Sequence, residues 1–381
     1  MSAPISFIGF PAAVIKCIVY FTDMSTLLTL RRMSERILQY ISIPLLSHGH
    51  SVPLSHTSNT PQYSGPAIFP PQVIHHLIFY ASEQELHRLH TTCQQLLSII
   101  SEELSNSLSH LLIPFALYPE DLLKAIRRSK GVIGGDVAVA FFLRNLSIPI
   151  NSLDIYVPCG KQFPLYDFLE LEHSYQKSGR PTPPTSPQGD HVGEHLHVRT
   201  VLKYTHHNCP PITILESLSS SAYAPIARLF ASHMVTFVSM DVFGAAFPEL
   251  LFEHRSLLGY QEDASLMEQG VELGEYWRGI GVDVRLDGGF WNFEGGGICR
   301  RYACASEIRS FFDKGSLFEP IGHATATRDL TESILFCLDF RTCDQYCQTV
   351  HISPRSAPRS LLLEQSVPFN RVDQYQASAP M

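Results

Sequence analysis

The stretch that most constrains the fold is residues 131 to 157, GVIGGDVAVAFFLRNLSIPINSLDIYV. A short apolar run ends in Gly134-Gly135, an amphipathic segment follows, and after a turn the chain alternates polar and apolar from Ser152 to Val157. From Gly135 to Asn145 the spacing puts Val137, Phe141 and Phe142 on roughly one helical face. Paired glycines at a helix start let backbone N–H groups approach a phosphate closely, and the helix dipole favours the anion. Asp154 on the next strand then stands where a carboxylate holds a metal against that phosphate. The plainer alternative is a tight helix start at Gly134-Gly135, with Asp154 a solvent-facing or capping acid.

This arrangement resembles the nucleotidyltransferase fold, whose signature is an apolar residue before Gly-Gly or Gly-Ser, a helix, and Asp-apolar-Asp on the following strand. The resemblance implies that Gly134 and Gly135 form the phosphate turn and that Asp154 is the second acid of the pair. It also implies two magnesium ions, held by oxygen ligands from both acids and from a third on a neighbouring strand. Ser152 stands where the first acid belongs, and a hydroxyl without charge is a poor magnesium ligand. On the next apolar strand, ITILE, the mid-strand positions are Thr213 and Leu215, with Glu216 at the strand end. Asp136 and Asp241 are the remaining acids that folding would have to bring in. The expectation is a non-catalytic descendant of the fold with residual nucleotide binding at Gly134, Gly135 and Asp154. The alternatives are an active magnesium-dependent transferase and a different fold.

A chain of 381 residues suggests two or three domains, and with 45% apolar and 17% charged residues most of it can bury a core. The net charge is −8 and no run of Lys and Arg occurs, which argues against nucleic acid as a partner. Nine cysteines in a chain of this length do not make a secreted disulfide scaffold. The apolar run from Ile5 to Phe21 holds Pro11 and Lys16 and lacks a basic leader, so it fits neither a signal peptide nor a membrane span. The protein is expected in the cytoplasm or nucleus, with reduced thiols and no membrane contact.

Two segments align at a constant offset: FPAAVIKCIVYFTDMSTLLTLRRMSERILQYIS (10–42) and FPPQVIHHLIFYASEQELHRLHTTCQQLLSIIS (69–101). Phe10-Pro11 lies over Phe69-Pro70, Leu27 over Leu86, Leu30 over Leu89 and Leu38 over Leu97. Proline is tolerated near a helix start because its missing N–H would be unpaired there. Val14, Ile18 and Phe21 form one helical face, and after a polar break at Thr22-Asp23 a second face carries Leu27, Leu30 and Met33. Each copy reads as a small helical unit. The pattern resembles the F-box, a helical module that docks on the Skp1 adaptor of cullin-type ubiquitin ligases. The resemblance implies a Skp1-like partner bound through Pro11, Leu27 and Leu30. The apolar-Ser/Cys-x-basic step is Met33-Ser34-Glu35-Arg36 in the first copy, whereas Thr92-Cys93-Gln94-Gln95 lacks the basic residue. Plain core-packing helices are the alternative.

Residues 43–68 read as a Ser/Pro-rich linker. Beyond the central motif, Phe163–Tyr175 reads as a helix, and 178–190 as a Pro/Ser/Thr insertion unable to pack. His195–Tyr204 and Pro211–Glu216 read as strands around a polar turn at His206–Cys209, and Ser219–Met240 as one helix. Glu262–Gly279 is again amphipathic, and the tail after Ser353 is expected to be disordered. The run Gly131–Gly259, with SLDIYV, ITILES and FPELLFEHRSLLG, is similar to a family of fungal proteins. Those proteins carry a Gly-Ser/Gly turn, a (S/D)LDIYV-type strand and a YPEL…RSL segment. That likeness extends to about residue 350 and brings no activity with it.

Two further clusters invite a metal. Cys299 and Cys304, then Cys343 and Cys347, offer four thiols for a structural zinc, although none is a CxxC pair. Buried or incidental thiols are the alternative. His191, His195 and His197 have a spacing that metal sites use, with Glu194 as the only acid at hand. No GxSxG elbow supports a serine hydrolase.

The expected architecture is α+β: an N-terminal helical region (1–115), a nucleotidyltransferase-like mixed sheet flanked by helices (116–260), a Cys-containing extension (261–352) and a disordered tail (353–381). The expected function is a non-catalytic interaction or scaffold protein that binds a protein partner. A Skp1-type adaptor and an active transferase are the alternatives, with magnesium or zinc as the cofactors those readings would bring.

Overall fold

The computed structural model of the chain describes residues 19–20, 22–46, 83–182, 197–259, 264–286, 309–313, 315–321, 334–336 and 338. Pro11 and the four cysteines considered as zinc ligands lie outside these residues. So do His191, His195 and everything after 338. The chain divides into two compact units, Met1–Leu108 with Ile321–His323, and Ser109–Pro320 with Ala324–Met381.

In the first unit, α1 spans Met24–Leu46. Asp23 caps it: its carboxylate accepts from Thr26 N at 2.9 Å and from Thr26 Oγ1 at 2.9 Å. Helix α1 buries Met24, Leu27, Leu28, Leu30 and Ser34 on one face. The helix runs to Leu46, so the start of the expected linker at 43 is still helical. The next helix, α2, spans Glu83–Leu112, and within the first unit it buries Cys93, Leu96, Ile99, Ile100, Leu104 and Leu108 at helical spacing. Ser34 stands beside the Cys93 thiol, which burial pushes up to about 11. These positions correspond under the offset that aligns 10–42 with 69–101. The two copies therefore meet at equivalent residues.

In the second unit, α3 (Pro119–Arg128) opens on proline with Glu120 and Asp121 in its first turn and closes on Arg127 and Arg128, complementing the helix dipole. The elements that follow are β1 (Val132–Gly134), α4 (Gly135–Phe142), β2 (Leu153–Val157), α5 (Phe163–Asp167), β3 (Gln176–Thr182), β4 (Val198–His206) and β5 (Cys209–Ser217). Then come α6 (Tyr223–Ile226), β6 (Thr236–Val238), β7 (Val242–Ala245), α7 (Pro248–Phe252), β8 (Arg255–Leu257), α8 (Ala264–Ile280), β9 (Asp283–Arg285), β10 (Arg309–Ser310), β11 (Leu317–Pro320) and β12 (Leu335–Phe336).

Eight strands form one mixed sheet in the order β11-β7-β6-β1-β2-β5-β4-β3. Strands β2 and β5 run parallel, and the other neighbours in it are antiparallel. Strands β8 and β9 form a small parallel sheet joined through α8. One face of the large sheet packs Val132, Tyr156, Leu215 and Phe237 with Tyr223, Phe247, Phe311 and Phe336 into a continuous apolar cluster. Phe141 and Phe142 of α4 pack on Phe243 of β7 with ring centroids 5.4 and 5.8 Å away. Buried Arg309 donates to Ala246 O, Ser316 Oγ and both Asp313 oxygens, so its charge is fully paired. Among the described residues no helix is long and apolar enough to cross a membrane.

Three local expectations change. Ser219–Met240 is not one helix but α6, a turn bridged at Ala231 to Leu258, and strand β6. The hydroxyls of Ser217, Ser219 and Ser221 accept from the backbone N–H groups of Ser219, Ser221 and Tyr223, which competes with helix, and Val235-Thr236-Phe237-Val238 suits a strand. The helix after Phe163 loosens into a π-helical turn over Phe168–Glu172, which buries Phe168 and Leu169 but leaves Phe163 and Leu171 exposed. Strand β3 continues to Thr182, so the insertion expected from 178 begins as paired strand.

Candidate functional site

The glycine turn is built from β1, the start of α4 and β2. Gly134 pairs with Asp154 across the antiparallel β1–β2 ladder, and on the other side Asp154 pairs with Thr213 of β5. Each glycine answers a different demand. A Cβ on Gly134 would sit 2.6 Å from the Tyr156 ring, so this position makes room for an aromatic side chain. Gly135 has φ +61°, the left-handed region, and its Cβ would stand 2.8 Å from Asp154 Oδ2. The close approach that paired glycines permit is thus used by the protein's own Tyr156 and Asp154.

A second acid joins them. Asp136, in the first turn of α4, is near enough to act on Asp154. Burial first, and then the Asp136 carboxylate, push Asp154 up to about 6, against the Thr213 hydroxyl, which bonds to it and favours the charge. Burial also raises Asp136. Tyr156 is raised by burial and by Asp154. Tyr276 of α8 is raised by burial and then by Asp136. The centre therefore gathers two carboxylates, a threonine hydroxyl and the Tyr156 phenol.

The other acids considered from the sequence are elsewhere. Glu216 is buried at the end of β5, where it accepts from Gly160 N at 2.9 Å and lies 3.6 Å from Arg199 Nη1. By register it opposes Val157, on the opposite face of the strands from Asp154. Asp241 pairs with Arg127 Nε at 2.9 Å. Ser152 precedes β2 and is half-buried. Of the acids weighed for the third position, Asp136 alone reaches Asp154. Its place right after the glycines was the available signal. Tyr276 had none, because it lies more than a hundred residues away on another element.

Two carboxylates and a hydroxyl are oxygen donors that a divalent cation accepts, but the three acids that two-metal transfer requires are not assembled. Among the described residues no group of three or more His, Cys, Asp or Glu side chains could hold a metal ion. What the arrangement offers chemically is a carboxyl that exchanges its proton near pH 6, beside a second acid.

The remaining site residues fall out differently. His197 has φ +59° and is pushed down to about 4, by burial and then by the Arg228 charge. Leu27 and Leu30, expected to bind a partner, are 0% and 8% exposed. They are core residues of the first unit. No protein-family model, no curated protein and no solved structure matches this chain.

Proposed function

We propose that the protein is a non-catalytic interaction protein whose second unit is a degenerate nucleotidyltransferase-like domain used as a scaffold. The observation that carries this reading is the register of Asp154. It lies against Gly135 on one side and opposite Thr213 on the other. The position from which a neighbouring strand would supply an acid holds a threonine, and the glycine turn receives a carboxylate of the chain itself. An incoming triphosphate would meet Asp154 and Asp136 there, with like charge repelling it.

Calorimetry of the full chain with ATP and magnesium tests this. No binding is expected, either in the parent or in Asp154→Asn. Magnesium-dependent binding that Asp154→Asn abolishes would replace the scaffold reading with a working nucleotide site. The Skp1-type adaptor keeps its support in the leucine spacing, whereas the burial of Leu27 and Leu30 takes those anchors off the surface. Purified Skp1 added to the full chain separates the two readings of the first unit.

A further inference from the structure

The β8–α8–β9 unit is fastened to the segment 230–234 by a compact set of bonds. Gly259 N donates to Phe230 O at 2.6 Å, Ser232 N to Leu257 O at 2.9 Å, and Leu257 N to Ser232 Oγ at 2.9 Å. Ala231 bridges to Leu258. At the centre, His233 Nδ1 lies 2.6 Å from Ser256 Oγ, and Ser256 Oγ lies 3.3 Å from Ser232 Oγ. From α8, the Trp277 ring meets the imidazole nearly edge-on, with centroids 4.5 Å apart and planes at 67°. His233 is 1% exposed and Trp277 0%.

Among the described residues, two polar atoms in this contact find no hydrogen-bond partner: His233 Nε2 and Trp277 Nε1. A neutral imidazole tolerates that, because its Nδ1 is satisfied by Ser256 and the other nitrogen carries no net charge. An imidazolium does not. Both of its nitrogens must donate, Nε2 has no acceptor, and a full charge is enclosed among Trp277 and the serines. Among the described residues no charge acts on His233: Asp136 acts on Tyr276, the neighbour of Trp277, but not on the imidazole. On the chain leading to β8, His254 engages Asn145 at 3.1 Å and Arg255 pairs with Glu253. On α8, Arg278 Nε donates to Val284 O, and on β9 Arg285 pairs with Asp283. Upstream of the segment, Arg228 acts on His197. None of these charges acts on His233, which burial alone pushes down to about 3.

We propose that this contact is an acid-operated joint, in which protonation of His233 releases the β8–α8–β9 unit from the segment 230–234. Opening gives Nε2 a water acceptor and exposes Trp277. The joint stays closed wherever the imidazole is neutral. It opens as pH falls through the window between the ordinary histidine value and the depressed one.

The test uses the full chain with Trp291→Phe, which leaves Trp277 as its one tryptophan. On acidification from pH 7 to 4.5, Trp277 emission is expected to shift reversibly to the red. Amides of 255–285 should lose exchange protection before those of β4 and β5. His233→Gln, which still offers Ser256 a polar partner but does not titrate, should abolish the shift, and so should His233→Phe. The proposal is overturned if either variant gives the parent's shift at the same pH. It is also overturned if protection in the unsubstituted chain is lost uniformly over the second unit, an outcome that needs no variant to fold.

Discussion

At the glycine turn Asp154 is held beside a second carboxylate and is pushed up to about 6, whereas at the joint no charge among the described residues acts on His233, which burial alone pushes down to about 3. Both side chains sit in the second unit, and both shifts disfavour the charged form. Their effects on stability nevertheless run in opposite directions. Asp154 binds its proton more tightly when folded, so its contribution is fully present below about pH 4 and is lost as pH rises through 6. His233 binds its proton less tightly when folded, so its contribution is present above about pH 6.5 and is lost as pH falls toward 3. The two slopes overlap and partly cancel. A flat pH profile in this protein can therefore hide two strained groups.

The comparison can be broken most forcefully at the joint. Between pH 7 and pH 4 protonation of His233 should remove about 3 kcal/mol of stability, as urea melts of the parent and of His233→Gln at both pH values would show. An equal pH response in both would mean that His233 is not the group responsible.

Gly135→Ala should cost nearly as much, about 2–3 kcal/mol, because it imposes left-handed strain and a clash with Asp154 Oδ2. In an Asp154→Ala background only the strain remains, so the cost should drop to about 1–2 kcal/mol. Undiminished cost in the double-mutant cycle would mean that Asp154 does not occupy the turn.

Asp154→Asn should stabilise the protein by about 1–2 kcal/mol at pH 8 and have little effect at pH 4, since it removes a charge that burial and then Asp136 oppose. Destabilisation at pH 8 would mean instead that the carboxylate is needed, as in a cation site. The smallest effect is expected on β4, beside the end of β5. Arg199→Gln should change stability by less than about 0.5 kcal/mol, because Arg199 is 57% exposed and Glu216 keeps the Gly160 N–H. A larger loss would make Arg199 a structural partner of Glu216 rather than a solvated one.

Local pattern made part of this legible. LDIYV, the β4–β5 hairpin and the α8 helix are where alternation and helical spacing put them, because each is specified by its own residues. Ser219–Met240 misled for the same reason. Its apolar spacing fits a helix, yet Ile226, Leu229 and Phe237 are buried all the same from α6, a turn and β6. Spacing reported which side chains are inside, and the serine hydroxyls and β-branched run decided the backbone. The repeat at 10–42 and 69–101 was visible as aligned leucines, but their role was not. Exposed anchors and buried core share one spacing, and Leu27 and Leu30 are buried.

By itself, the sequence determined that glycines, helix and acid-bearing strand follow one another here, and that a serine, Ser152, stands two residues before Asp154. Those are properties of neighbouring residues. Only the tertiary structure decided that Asp154 faces Thr213, that Asp136 acts on it, and that His233 meets Trp277 with no acceptor for Nε2 among the described residues. Each of these is a contact between separate elements. Its consequence depends on burial and on the charge of whatever folding places alongside, and neither is encoded within any single stretch.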